Sequence, residues 1–330
     1  MALSLFSRKN RVINIIINDY SIRLIELKQS SPLTVQRFEE RFIPFGIVRD
    51  GKIIEHETLG TILEECVLDW KIQKRPIRFI VPDSYVIIRK VTIPADVKDD
   101  EIEGYLYLEL GSSIHLPFEE PVFATYPISK GKENREVLIF AAQQEIVQEY
   151  AELFSVAKLK PEAADLAPLA LYRLYHHLGM NNKDECLLMV QFDINVVNIC
   201  IFENHLPFFL HHLLPDFDEE KWSVSINKAG SHELLYRGET DELLFQIEDI
   251  YKEINKFMDF YRYSINHGKQ QVSKILLNGD HPLLDLITKE MEQRFNVPVQ
   301  KINGNLIAQA TEDKLPMTHY LALGLALKEV

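Results

Sequence analysis

The sequence predicts a layered α/β protein built from two related halves. Each half opens with three successive strand-like segments and continues into segments with helical periodicity. Short turns join the strand-like segments, which favours an antiparallel meander at the start of each half. The second set begins about 175 residues after the first, so the order of elements indicates a weak internal repeat. Helices of this kind pack as layers against the sheets.

The first half starts with a β-branched apolar run and two further strand-like segments, followed by a helix with apolar residues at i, i+3 and i+4 spacing. A strand interrupted at Pro82 and Asp83 comes next. A helix, two short strands, a helix, a Pro-containing link and a helix complete the half. In chain order, these predicted elements are residues 12–19, 21–29, 33–43, 55–70, 78–92, 95–110, 122–128, 136–142, 144–157, 159–165 and 168–177.

The second half opens with another set of three strands. A polar segment that we expect to be irregular follows, and then a long helix whose apolar stripe begins at Leu244. A strand, a helix, a strand and a closing apolar helix complete the chain. In chain order, these elements are residues 185–192, 195–203, 206–214, 216–239, 241–265, 274–277, 282–295, 297–302 and 320–327.

Composition narrows the class of protein. The net charge of −13 over 330 residues argues against nucleic-acid binding through a basic surface. Three cysteines without paired spacing fit a reducing compartment, and we interpret them as small buried apolar residues. No apolar stretch is long enough to span a bilayer. Residues 1–11 carry Leu3, Leu5 and Phe6 before three basic residues. This apolar part is too short for a secretory signal, so we predict that these residues form an N-terminal tail.

Several local strings occur in a characteristic order. The first contains Ser21, Arg23, Glu26 and Leu27, and the second reads YLYLELGSSIHLPF. This ordered series resembles the PilM family of type IV pilus assembly proteins, relatives of the cell-division protein FtsA. The matching segments are residues 12–27, 105–118, 147–165, 254–261, 275–284 and 323–327.

The resemblance implies an actin-like ATPase (ribonuclease H-like) duplicated fold. An FtsA/PilM-type small subdomain is then inserted in the first half, at about residues 77–136. The implied domains are a tail of residues 1–11, a first half of residues 12–183 and a second half of residues 184–330. The second half then has its own small subdomain at about residues 216–250.

In this fold ATP sits between the halves, where two β-hairpins cradle its phosphates. Each hairpin needs an Asp for the Mg²⁺-bound water and a Gly for close backbone approach. In the first hairpin these positions hold Ile16 and Asn18. In the second they hold Gln191 and Asp193, or Asp193 and Asn195 if the alignment slips by two residues. The residues implied at this cleft are Asn18, Asp19, Ser21, Arg23, Gln191, Asp193, Asn195, Asn278, Gly279 and Asp280.

We interpret this nucleotide site as degenerate, because Ile cannot hold a hydrated metal and the adenosine-side loop keeps a single glycine, Gly279. We therefore expect no catalytic residue, no metal site, and either no cofactor or weak binding of ATP and Mg²⁺. The polar residues at these positions are also ordinary turn residues. The alternative is an active actin-fold ATPase or small-molecule kinase, and a third interpretation is a filament-forming protein.

The resemblance implies a scaffold or adaptor that binds the cytoplasmic N-terminal tail of a PilN-like bitopic membrane protein. The chain would then be cytoplasmic, peripheral to the membrane, and in contact with other pilus platform proteins. Strand addition or apolar docking at the inserted subdomain would hold the tail. The residues expected to contact it are Tyr85, Ile87, Arg89, Tyr105, Leu108 and Glu109, although each of them can equally serve only to pack the subdomain core.

Overall fold

The computed structural model describes residues 12–182, 184–215, 218–226, 232–310 and 314–329. Within them the strands are β1 (Ile13–Ile17), β2 (Ser21–Gln29), β3 (Thr34–Phe42), β4 (Val48–Arg49), β5 (Lys52–Ile53), β6 (Pro76–Ile80), β7 (Val86–Pro94), β8 (Pro121–Lys130), β9 (Asn134–Gln143), β10 (Lys160–Asp165), β11 (Cys186–Phe192), β12 (Val197–Glu203), β13 (Leu206–Leu213), β14 (Trp222–Ile226), β15 (His232–Tyr236), β16 (Lys274–Asn278), β17 (Val299–Lys301) and β18 (Ala308–Gln309). The α-helices are α1 (His56–Asp69), α2 (Ile102–Glu109), α3 (Gln144–Val156), α4 (Ala167–His177), α5 (Thr240–Asp259), α6 (Leu284–Arg294) and α7 (Tyr320–Ala326).

The chain divides into two compact units. Unit 1 comprises the described parts of Met1–Ile80, Glu149–Gly179 and Asn303–Val330, and unit 2 comprises those of Val81–Gln148 and Met180–Ile302. These units are defined by contacts, whereas the predicted halves are defined by repeated element order. The predicted domain boundaries therefore stay a prediction.

Unit 1 is built on a six-stranded sheet in the order β10-β6-β1-β2-β3-β18. Strands β1, β2 and β3 form the first predicted meander through antiparallel pairs, and β6 pairs with β1 in parallel. All five residues of β1 are buried, and α7 contacts β1, β2 and β6. A continuous apolar run therefore forms the central strand of this sheet, as expected for a strand covered on both faces.

Unit 2 contains the second predicted meander, in a five-stranded sheet of order β13-β12-β11-β16-β17. Strands β11, β12 and β13 pair antiparallel, while β11, β16 and β17 are parallel. A separate three-stranded sheet has the order β7-β9-β8, and a two-stranded sheet pairs β14 with β15. Both meanders that the sequence predicts are confirmed.

Some predicted elements are wrong in detail. The helix predicted over residues 95–110 is α2 alone, after a single turn of 3-10 helix at Asp99–Glu101. The link at residues 159–165 is an edge strand, β10, and an edge position tolerates its proline. Residues 216–239, expected to be irregular, contain β14 and β15, whose Trp222 and Tyr236 rings lie 5.2 Å apart.

The long predicted helix has a different end and a different first apolar contact. It is an α-helix through Asp259 and a π-helix over Phe260–Ile265. Its buried stripe starts at Leu243, whereas Leu244 is exposed. The spacing of apolar residues predicted the helix, but it did not decide which of the two adjacent leucines faces the core.

The predictions about the cysteines and about membrane-spanning segments can also be compared with the structure. Cys66, Cys186 and Cys200 are all buried, as predicted, and burial raises the pKa of the Cys66 thiol to about 11. Among the described residues, no helix combines the length and apolar character that crossing a bilayer would require.

Candidate functional site

The turn between β1 and β2 is held together by the side chain of Asn18. Its amide oxygen accepts the Ser21 backbone N–H at 2.7 Å, the Ser21 hydroxyl at 3.0 Å and the Tyr20 N–H at 3.2 Å. The backbone closes the same turn, because the Asn18 N–H donates to the Ser21 carbonyl. Asn18 and Ser21 therefore act as turn residues within unit 1.

Asp19 and Arg23 are likewise engaged inside unit 1. The two carboxylate oxygens of Asp19 accept the backbone N–H groups of Asp50 (2.7 Å) and Gly51 (3.0 Å). The Arg23 guanidinium forms a 2.6 Å ion pair with Glu40 and donates to the Thr318 carbonyl. Both side chains are buried, so they bind neighbouring loops and strands together.

The turn between β11 and β12 is closed by a backbone hydrogen bond equivalent to the one in the first turn. The Asp193 N–H donates to the Val196 carbonyl at 3.0 Å, as the Asn18 N–H does to Ser21. This equivalence matches Asp193 with Asn18, and Gln191 with Ile16 two residues earlier. It agrees with the unshifted alignment of the sequence. Asn195, which lies inside this second turn, is buried.

Asp193 joins the second turn to the loop that follows β16. One carboxylate oxygen accepts the Gln191 side-chain amide at 2.5 Å, and the other accepts the Asp280 N–H at 3.0 Å. Gln191 and Asn278 are register partners in the parallel pair of β11 and β16. The structure thus brings together the second-half candidates Gln191, Asp193, Asn278 and Asp280.

Gly279 is required by close backbone packing. Its φ is +142°, and a Cβ atom there would lie 2.1 Å from the Phe192 carbonyl oxygen. The neighbouring His281 ring packs edge-on against Phe192 at 5.5 Å and accepts the Leu283 N–H. Burial lowers the pKa of His281 to about 4, so the imidazole is neutral at pH 7. Close packing against Phe192 is by itself sufficient to require glycine at this position.

At the two positions where the resemblance places a carboxylate for a metal-bound water, the chain has Ile16 and Gln191. Ile16 has no oxygen ligand to offer and is 7% exposed. Both oxygens of Asp19 and both oxygens of Asp193 accept hydrogen bonds from their own unit. Each of these oxygens has a second lone pair, for which a metal-bound water would compete beside the existing donor.

The region predicted as an inserted subdomain contains the sheet of β7, β9 and β8, with α2 packed against it, and β9 continues past residue 136 to Gln143. Its core cluster is formed by Ile93, Ile102, Leu106, Ile114, Phe123, Val137, Ile139 and Ala141. Two of the predicted contact residues, Ile87 and Tyr105, are half-buried and pack against this cluster. Tyr85 lies in a 3-10 turn before β7, and Leu108 is 83% exposed on α2.

The last two predicted contact residues, Arg89 and Glu109, position residues 110–119, which we call the pocket loop. The Glu109 carbonyl accepts the N–H groups of Ser112, Ser113 and Ile114 at 3.0–3.2 Å. Its carboxylate accepts both serine hydroxyls. On the other side, the Arg89 guanidinium donates to the His115 carbonyl. Arg89 and Glu109 therefore fix the shape of this loop.

The pocket loop encloses a pocket of about 400 Å³. Its walls are largely apolar, and the lining residues are Leu110, Gly111, Ile114, His115, Leu116, Pro117, Phe118 and Glu119. Sequence reasoning matched this segment to a family string but did not single out its residues as a site. The available signal was a run of apolar residues, Leu116 to Phe118, that continues beyond the end of a helix.

A comparison with protein-family models identifies the family of this chain. The family model described as "Type IV pilus assembly protein PilM" matches residues 14–212, more than half of the chain. The chain belongs to the PilM family. The matched range includes both hairpin turns and the pocket loop, so these features lie within the PilM region.

Solved structures show the fold of this PilM family member. A PilM-PilN type IV pilus biogenesis complex matches with a TM-score of 0.76 at 20% identity, covering 96% of this chain and 98% of that one. The ethanolamine utilization protein EutJ from Carboxydothermus hydrogenoformans matches with a TM-score of 0.50 at 11% identity, covering 96% and 89%. The actin-like fold that the sequence predicts is confirmed.

Proposed function

We propose that this PilM-family chain is a scaffold of a type IV pilus or related assembly platform. It binds the cytoplasmic N-terminal tail of a PilN-like membrane protein at the inserted subdomain. The observation that carries the proposal is an apolar pocket of about 400 Å³. Its loop is positioned by hydrogen bonds from Arg89, which lies on β7, and to Glu109, at the end of α2. The similar structure described as a PilM-PilN complex supports the same kind of partner.

An extended tail has two ways to bind here. Among the described residues, β7 pairs with β9 and is also contacted by β13, where Lys90 lies over the Phe208 ring, so an added strand needs a stretch of β7 that β13 leaves uncovered. Apolar side chains of the tail then enter the pocket between Leu110, Leu116 and Phe118. Burying one leucine-sized side chain contributes about 1.5–3 kcal/mol, which is enough to fix the register of a short peptide.

The predicted contact residues divide into three roles in this proposal. Arg89 and Glu109 hold the pocket loop, while Tyr85 and Leu108 present side chains beyond the core. Ile87 and Tyr105 support the sheet face from within. Through its bitopic partner the chain is held at the cytoplasmic face of the membrane, where other platform proteins assemble.

We propose further that the chain does not turn over ATP. The support is that Asp19 and Asp193 are bound to backbone N–H groups and that Ile16 and Gln191 replace the expected carboxylates. Calorimetry with Mg-ATP is expected to show weak or no binding and no phosphate release. Micromolar binding with turnover would favour the ATPase or kinase alternative, and concentration-dependent pelleting would favour a filament.

Tail binding is tested with a labelled peptide made from the N-terminal tail of the single-span protein encoded beside this chain. Fluorescence anisotropy should show saturable binding to the full chain. Leu116→Gln should weaken it about tenfold or more, because a polar group enters an apolar wall. The matched control is Leu68→Gln on α1, an exposed leucine in unit 1 that should leave binding unchanged.

Circular dichroism melts of both variants show whether folding is intact. Failure of the wild-type chain to bind any such tail would contradict the proposed function. Equal loss of binding in both variants would place the binding surface elsewhere.

A further inference from the structure

Two exposed carboxylates lie at the apolar pocket and directly after it. Glu119 lines the pocket, and Glu120 follows it directly before β8 begins. Both side chains are exposed, and neither forms a hydrogen bond or ion pair within the described part of the chain. Glu109, by contrast, uses its carboxylate to hold Ser112 and Ser113.

The surrounding segment is also acidic. Residues 81–148 contain twelve acidic and six basic residues, a net charge of −6. One of the basic residues, Arg89, donates to the pocket loop itself. Arg89 keeps its positive charge, but residues 109–120 hold three carboxylates, Glu109, Glu119 and Glu120, against this one guanidinium, so a cationic group of a partner still meets an attractive potential beside the apolar cavity.

We infer that the pocket selects a tail in which a basic residue or the free amino terminus lies next to the apolar anchor, with Glu119 and Glu120 as the residues that recognise the positive charge. The inference rests on the proposed function. Cytoplasmic segments close to a membrane span carry an excess of Lys and Arg, so such a tail supplies the charge. An N-terminal tail also ends in an α-amino group.

The pocket makes this pairing stronger than one on an open surface. A charge pair at the edge of an apolar cavity loses part of its water, which lowers the local dielectric and strengthens the attraction. Arginine has the additional option of two parallel hydrogen bonds to one carboxylate. Pairing of this kind sets specificity and association rate, and it weakens as salt increases.

The test uses the full chain, the labelled tail peptide, and the same peptide with its basic residues replaced by glutamine and its amino terminus acetylated. The variants are Glu119→Gln with Glu120→Gln, together and singly. The control is Glu133→Gln, which makes the same charge change in the exposed turn at the far end of β8.

At about 0.05 M salt the double variant should bind the basic peptide about tenfold more weakly, and at about 0.5 M salt about twofold. Glu133→Gln should change affinity less than about twofold. The neutralised peptide should bind wild type and the double variant equally, because the charge pair is absent from both.

Equal affinity of wild type and the double variant for the basic peptide would overturn the inference and leave the proposed function standing. So would a tenfold loss that persists with the neutralised peptide. If neither peptide binds the wild-type chain, the proposed function fails first and this inference fails with it.

Discussion

Asp19 and Asp193 in the hairpin turns and Glu119 and Glu120 beside the pocket are all carboxylates, yet their surroundings differ. Each oxygen of the two aspartates accepts a hydrogen bond from its own unit. The two glutamates are exposed and, within the described residues, make no such bond. Polar groups that the fold already uses stabilise the chain, whereas groups it leaves exposed at a cavity are available to a partner.

The largest expected effect is a loss of stability, and it should distinguish the glycine near the hairpin turn from the glycine in the pocket loop. Gly279→Ala is expected to lower the free energy of unfolding by about 4 kcal/mol or more, since its Cβ would overlap the Phe192 carbonyl. Gly111→Ala in the pocket loop has a positive φ but no atom within 4 Å, so about 1 kcal/mol is expected. Urea unfolding measures both, and similar values would remove the packing role assigned to Gly279.

A pH effect of intermediate size should come from two buried histidines. Burial lowers the folded-state pKa of His281 and of His319 to about 4, against a reference value of 6.5. The unfolded chain therefore binds more protons between these values, and stability is lost as pH falls from about 6.5 towards 4. Each histidine should contribute a loss of about 2 kcal/mol between pH 7 and pH 5.

Urea unfolding at both pH values tests this effect. His281→Gln should reduce the pH-dependent loss by about half, even if the variant is less stable at pH 7. The core variant Ile287→Val lowers stability without removing a titrating group, so its pH-dependent loss should equal that of wild type. An unchanged loss in His281→Gln would show that the imidazole is not held neutral.

Substitution of Asp19, whose carboxylate binds the Asp50 and Gly51 backbone, should cost less stability than Gly279→Ala. Asp19→Asn keeps one acceptor oxygen for the N–H groups of Asp50 and Gly51 but loses the charge, which predicts a cost of about 1–2 kcal/mol. The exposed Asp96→Asn should stay within about 0.5 kcal/mol of wild type. Neither change should alter binding of the tail peptide, and weakened binding by Asp19→Asn would link the turn to the partner site.

The smallest effect on stability is expected at Leu108. Because it is 83% exposed, Leu108→Ser should change the free energy of unfolding by less than about 0.5 kcal/mol. Its effect on peptide affinity decides whether the predicted contact surface extends along α2. A loss of threefold or more would include Leu108 in the contact surface, and no loss would confine binding to the pocket and the strand edge.

The fold was largely predictable because strand periodicity and helical stripes report local burial. The runs at β1 and β11 are apolar enough to read as covered strands from sequence alone. The hairpin of β14 and β15 was missed because its pairing depends on Trp222 meeting Tyr236 across a polar segment. The edge strand β10 was missed because proline argues against a strand unless its position at an edge is known.

The candidate site was only partly predictable. Sequence reasoning predicted Arg89 and Glu109 as partner contacts, which stays a prediction, but it did not reveal that both residues hold the pocket loop. The partners of Asp19 lie about 30 residues along the chain, and those of Asp193 include a residue about 90 positions away. A local sequence pattern does not predict which distant backbone N–H will donate a hydrogen bond to a given carboxylate.

Hydrogen–deuterium exchange of the full chain, with and without the tail peptide, tests the contrast between the two regions most directly. The account predicts slower exchange on peptide binding in residues 86–94 and 110–120, with no change in residues 17–23 and 191–196. Protection of the hairpin turns by peptide or by Mg-ATP, with the pocket loop unchanged, would contradict it.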